Sequence, residues 1–290
     1  MGYAQSNRGF VADSLPPLAP QEVNTEVDFL FHYYDQDGNN SAVTGGVGTE
    51  ELNDYDTKIR IKVPLESISQ LKLYGGVNVY TSASTDRIDR VISSASKEDV
   101  QAQLNVEWEE APQTKKYRYG FLMGGATESD YLSGSIGGFV AWPSADNSRE
   151  IQVSTQLFFD RWQLLFPDEL RGTTEATVAT DRRNDIQLGF NLSQIINQRL
   201  QVSIGTDLSF QQGLLSTPFH RVYLKDAGPA RLERFPNTRF KLPVGLRVHY
   251  FLGDYVVSRF FYRYYWDTFR LRAHSSQLEL AFKLGQVLTL

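Results

Sequence analysis

The sequence contains no cysteine. Disulfides, thiol catalysis and thiolate-bound metals are therefore excluded, although the absence fixes no cellular compartment. Histidine is scarce, with 4 in 290 residues. His32, His249 and His274 are scattered without the HxH or HExxH spacing that places two imidazoles on one metal. No apolar run reaches the roughly 18 residues of a membrane helix. That leaves membrane strands open, because their apolar residues alternate with polar ones. A glycine-rich phosphate loop, a strand–helix–strand rhythm and any useful stretch of helical periodicity are also missing. The formal net charge of -5 does not suit a nucleic-acid binder, and 41% hydrophobic residues exclude a disordered composition.

What the chain does have is a period of two along most of its length. In TKIRIKVPL, Ile59, Ile61, Val63 and Leu65 alternate with Lys58, Arg60, Lys62 and Pro64. QLNVEWEE sets Leu104, Val106 and Trp108 against Gln103, Asn105, Glu107 and Glu109. DIQLGFNLS and LQVSIGTDLSFQQ, joined by a short NQR connection, read as a hairpin with Ile186, Leu188, Phe190, Leu200, Val202 and Ile204 on one face. FKLPVGLRVHYFLG, VVSRFFYRYYWDTF and HSSQLELAFKLG continue the pattern. Residues 1–21, with Pro16, Pro17 and Pro20, read as an irregular leader, and residues 22–290 as one β domain. SAVTGGVG reads as a short strand, and residues 167–184 and 213–239 as long polar connections. MGYAQSNRG is too short and polar for a signal peptide; the small residues of YAQS suit the remnant of a cleavage region.

The expected fold is all-β, with roughly thirteen antiparallel strands, many about nine to twelve residues long. Soluble sandwiches favour shorter strands, whereas such lengths suit tilted crossing of a bilayer. Aromatics gather near strand ends in FHYY, VEW, AWP, DRW, HYF and YYWDTF, as the two girdles of a membrane barrel do. The non-aliphatic face is rich in Gln, Asn, Ser, Lys, Arg and Gly, which a wet lumen tolerates. An antiparallel transmembrane β-barrel is favoured over a soluble all-β binding module.

Specific stretches carry a family resemblance: EVDFLFHYYDQDGNNSAVTGGVGTEEL, SASTDRID, FFDRW, FPDELR, GLLSTPFHRVYL, LERFPNTRFKLPVGLRVHYFLGDYVV and RFFYRYYWDTF. Together they resemble a family of uncharacterised bacterial proteins designated DUF3570. The resemblance implies an outer-membrane β-barrel of a Gram-negative bacterium, in contact with outer-membrane lipid and with no established activity. Family members continue with further strands after GQVLTL, so a barrel incomplete at the C-terminus is expected. An odd strand count also departs from the even numbers of bacterial barrels.

No catalytic, cofactor-binding or metal-binding residue is assigned, no cofactor is expected, and a non-enzymatic role is favoured: a passive pore or surface scaffold. Ser216 and His220 would serve a lipid hydrolase acting at the connection 213–239, but no elbow such as GxSxG surrounds Ser216. Ser216, Thr217, Pro218, Phe219, His220 and Arg221 are instead expected to form an ordered loop. Asp35, Asp37 and Asn39 have the odd spacing of a calcium loop, but residue 46 is Gly where that pattern wants Glu. Glu50, Glu51, Asp54 and Asp56 read as a solvated acidic loop. Arg247, Arg259, Arg263, Asp267, Glu279 and Lys283 fall on the polar faces of successive strands. They are expected to meet in the lumen, either as a selective constriction or, preferably, as a salt-bridge ladder.

Overall fold

The structure, a computed structural model, describes residues 24–36, 51–66, 68–81, 98–111, 116–164, 180–216, 221–222, 231–232, 234–253, 255–284 and 288–289. The leader 1–21 and the SAVTGGVG segment lie outside them.

The strands are β1 (Glu26–Gln36), β2 (Leu52–Glu66), β3 (Ser69–Thr81), β4 (Glu98–Glu110), β5 (Arg118–Glu128), β6 (Tyr131–Pro143), β7 (Arg149–Gln163), β8 (Thr180–Asn197), β9 (Leu200–Gly213), β10 (Arg221–Val222), β11 (Arg231–Leu232), β12 (Thr238–Phe251), β13 (Val256–Asp267), β14 (Arg272–Leu284) and β15 (Leu288–Thr289). All but β10 and β11 join one 13-stranded antiparallel sheet in chain order, with β12 following β9. β10 and β11 pair with each other inside the connection from β9 to β12. The expected strand number is thus met, counting the two-residue β15, although the long strands exceed the expected length: β8 has 18 residues.

Among the described residues no pairing joins β1 to β14 or β15, so the sheet is seen with two edges rather than as a closed barrel. Along this meander, connections alternate in length. β2–β3, β8–β9 and β12–β13 turn at 67–68, 198–199 and 252–255, whereas β1–β2, β3–β4, β7–β8 and β9–β12 use 37–51, 82–97, 164–179 and 214–237. Every long connection lies at the same end of the sheet, although two short turns, 129–130 and 268–271, share that end. Gly213 closes β9 with φ +116 and its Cα against the Arg182 carbonyl, a conformation and a space that a side chain would not fit.

The two faces are inverted relative to a water-soluble sheet. Phe29 is 68% exposed, Phe121 62% and Leu188 51%. On the opposite face Asp185 is 2% exposed and Asp267 0%. Leu104, Met123, Leu132, Ile136, Phe159, Ile186, Phe190, Leu278 and Leu280 also lie open on the apolar face, while Leu200 and Val202 are half-buried there. Glu107, Glu109, Asp160, Arg183, Ser193, Ser203, Ser209 and Gln211 are buried on the polar one. The cause is the pleat combined with curling of a many-stranded sheet: one set of alternating side chains crowds together and the other splays apart. The crowded set here is polar.

Candidate functional site

The polar face is organised in two belts and a middle. Near the short-turn end, Lys72 Nζ donates to Glu107 Oε1 at 2.7 Å and Glu109 Oε2 at 2.8 Å. Arg118 then links Glu109, 2.7 Å from its Nη1, to Glu150, 2.7 Å from its Nη2. Four strands, β3, β4, β5 and β7, contribute to this chain of charges. Register explains it: Lys72 faces Glu107 across β3–β4, and Glu109 and Arg118 flank the β4–β5 turn.

At the long-connection end the pairs are more deeply buried. Asp160 accepts from Tyr131 Oη at 2.9 Å, Ser133 Oγ at 2.7 Å and Arg183 Nε at 2.9 Å. The Arg183 guanidinium also lies 5.4 Å from the Trp162 ring centre. Asp185 accepts from Ser209 Oγ at 2.9 Å and Gln211 Nε2 at 2.8 Å. Asp267 accepts from Arg239 Nε at 3.0 Å, Tyr265 Oη at 2.8 Å and the Leu271 backbone N–H at 3.0 Å. Asp160, Asp185 and Asp267 are each met by several donors, which is what makes their burial tolerable. Asp99, Glu128 and Asp130 also converge at this end, each with a carboxylate oxygen within 4.8 Å of the others. Tyr80 donates to Glu128. Three acids from two strands and a turn could share a cation by that geometry; no sequence spacing joins them.

The six charged residues expected to meet in the lumen do so in part. Arg259 Nη1 and Glu279 Oε1 form an ion pair at 2.7 Å across β13–β14. Asp267 pairs with Arg239, a residue that the sequence reading left in the connection, rather than with another of the six. Arg247 stacks its guanidinium 5.3 Å from the Phe261 ring centre. Arg263 is exposed, with its Cα opposite Gly245 and Ser275. The side chain of Lys283 lies outside the described residues.

In the connection after β9, Ser216 Oγ accepts the Phe235 N–H at 2.7 Å and so ties the two ends of the loop together. Thr217, Pro218, Phe219 and His220 lie outside the described residues, as does the side chain of Arg221. Asp35 belongs to β1 and takes a hydrogen bond from Tyr33 Oη at 3.3 Å, while Asp37 and Asn39 lie outside the description. Two expectations are corrected: residues 180–184, read as part of a connection, open β8, and Asp54 and Asp56 are not in a loop. They sit in β2, where their Cα atoms face Tyr80 and Asn78, and Asp56 binds Lys58 Nζ at 2.6 Å. The alternation reaches further toward the N-terminal side of β2 than its aliphatic residues suggest, because Asp54 and Asp56 occupy the polar phase. His274, scattered in sequence, bonds through Nδ1 with Tyr262 Oη at 2.7 Å.

Aromatic side chains mark both ends of the apolar face. Trp108 stacks on Phe121 with ring centres 6.1 Å apart near the short turns, close to Tyr119. Tyr33 and Tyr55, 5.1 Å apart, lie toward the long connections, as do Phe240 and Trp266 at 6.4 Å. Between them runs an apolar cleft of about 980 Å³ lined by Ile59, Val77, Leu104, Met123, Ile136 and Phe159 among others.

The sequence profile of a family described as "Protein of unknown function (DUF3570)" matches residues 15–290. The chain belongs to this family. No curated protein matches it. Among solved structures, the DUF3570 chain is similar to the siderophore receptor PirA of Acinetobacter baumannii, at 11% identity and a TM-score of 0.46, over 91% of this chain and 42% of that one. It is similar to the ferric enterobactin receptor PfeA of Pseudomonas aeruginosa at 10% identity and a TM-score of 0.48, over 92% and 43%. A third is the outer membrane transporter YddB of Escherichia coli, at 9% identity and a TM-score of 0.41, over 90% and 41%. The chain thus spans about two fifths of the length of these structures.

Proposed function

We propose that this DUF3570 chain forms the wall of an outer-membrane β-barrel, with its apolar face toward lipid and its polar face lining a passage for hydrophilic solutes. The observation that carries the reading is the inversion of the faces: Leu188 is open while Asp185, three residues earlier on the same strand, is buried. Water would favour the reverse arrangement, and hydrocarbon favours this one. The two aromatic zones support it, and so does the gathering of long connections at one end, which matches short periplasmic turns and longer outer loops. A soluble binding module would need a second layer over the apolar face.

The test is production in a Gram-negative host with an export signal, followed by membrane fractionation and electrophoresis with and without heating. The expected result is recovery in the outer membrane, faster migration of the unheated protein, and ion conductance in a planar bilayer. Recovery as a soluble monomer would overturn the membrane assignment. Stable insertion without conductance would leave the wall and remove the passage.

A further inference from the structure

The last three long strands carry an excess of positive charge on the polar face. β12 contributes Arg239, Lys241 and Arg247; β13 contributes Arg259 and Arg263. The acids on the same face of β12, β13 and β14 are Asp267 and Glu279. Each already holds an arginine, Arg239 and Arg259 respectively, and Lys241 has a contact of its own. Arg247 and Arg263 form no ion pair among the described residues.

These two arginines are neighbours by register. Arg263 faces Gly245, and Arg247 lies two residues further along β12, on the same face. Diagonal positions of this kind are roughly 7–8 Å apart between backbones, within easy reach of two long side chains. Their surroundings are small. The row through Arg263 runs Gly205, Gly245, Arg263, Ser275, and Ser203 faces Arg247. Phe261 supports the Arg247 guanidinium from one side. Across the glycines stands Asp207, the acid whose charge Arg247 feels.

We infer that Arg247 and Arg263 form a subsite for small oxyanions, carboxylate or phosphate, on the polar face; this rests on the proposal that the face lines a passage. Two like charges side by side repel, and a doubly charged oxyanion between them converts that repulsion into attraction. Planar guanidinium forks match the oxygen geometry of both anion types. The glycine shelf supplies the room that larger side chains would have taken.

The experiment uses the full chain folded in a zwitterionic detergent at low ionic strength, with inorganic pyrophosphate as the probe. Calorimetry should show binding that weakens at least about tenfold in R247A/R263A, the scale of losing charge-assisted hydrogen bonds. R149A/R199A, which removes two exposed arginines elsewhere, should bind as the wild type does. R247K/R263K keeps the charge without the forks and should fall between, which maintains the test if the alanine variant misfolds. Equal binding by wild type and R247A/R263A, or none by wild type, overturns the subsite. Reversal potentials in a KCl gradient form the second arm: anion preference should shrink in R247A/R263A. Pyrophosphate binding without conductance would remove the passage and keep the subsite. Conductance without binding would do the opposite.

Discussion

Leu188→Arg tests the orientation of the wall at one position. Leu188 lies near the middle of β8, with Thr155 and Leu208 as its Cα partners, and half of it is open. If water covered that face, an arginine there would change stability by no more than about 0.5 kcal/mol, as surface substitutions usually do. If hydrocarbon covers it, an arginine at mid-depth costs about 2–4 kcal/mol. The adjacent Gln187→Arg is the control. Gln187 points to the polar face, with Gln156 and Ser209 as Cα partners and its own Nε2 at 3.5 Å from the Asp185 carboxylate. A guanidinium there meets acid and amide groups, so its cost should stay below about 1 kcal/mol. The assay is urea titration of protein folded into phosphatidylcholine vesicles, with the folded fraction read from unheated gel migration. At about 1–3 kcal/mol per molar urea, Leu188→Arg should lower the midpoint by roughly 0.7–4 M. Equal midpoints for the two variants, or a Leu188→Arg midpoint at the wild-type value, would refute the assignment of this face to lipid.

Asp160→Ala should cost about 3–5 kcal/mol in the same titration, because it strands the buried Arg183 guanidinium and strips Tyr131 and Ser133 of their acceptor; a loss under 1 kcal/mol would show that water reaches the belt. The turn 144–148 gives a pH signature. Hydrogen bonds from the Ser144 hydroxyl and the Ser148 N–H hold the Asp146 carboxyl down at about 2, against an ordinary 3.8. A depressed acid lends its stability above the unfolded value and loses it as pH falls, so the turn should loosen between pH 4 and 2. Amide exchange at Ser148 and Arg149 should accelerate across that window in the wild type and be flat in Asp146→Asn.

How much of this was legible in the sequence differs by type of feature. The phase of each strand was readable, since Leu188, Phe190 and Ile204 alternate with Gln187, Gly189 and Ser203 whatever encloses them. The enclosure was less so, because alternation is symmetric: a sandwich and a barrel wall write the same period, and they differ in which set is crowded. Strand length and the aromatic ends broke that symmetry.

Charge partners were hidden for a different reason. Arg183 meets Asp160 only because Asp160 and Arg183 are Cα partners across β7–β8, and a shift of one residue would send one of them to the other face. Asp267 illustrates the same dependence. From sequence it was one of six charged residues, with Arg247, Arg259, Arg263, Glu279 and Lys283, on the polar faces of successive strands. The fold gives it Arg239, because β12 begins earlier than its aliphatic run and brings Arg239 beside the end of β13. That reassignment is what leaves Arg263 without an acid among the described residues. The six residues read as one ladder, four cations and two acids, therefore divide: Arg259 and Glu279 neutralise each other, Asp267 is taken by a seventh residue, and Arg247 and Arg263 are left beside the glycines without an ion pair among the described residues. Two cations left outside the ion pairs concentrate a positive field in the middle of these strands, where an anion in a passage of the kind proposed would feel it most.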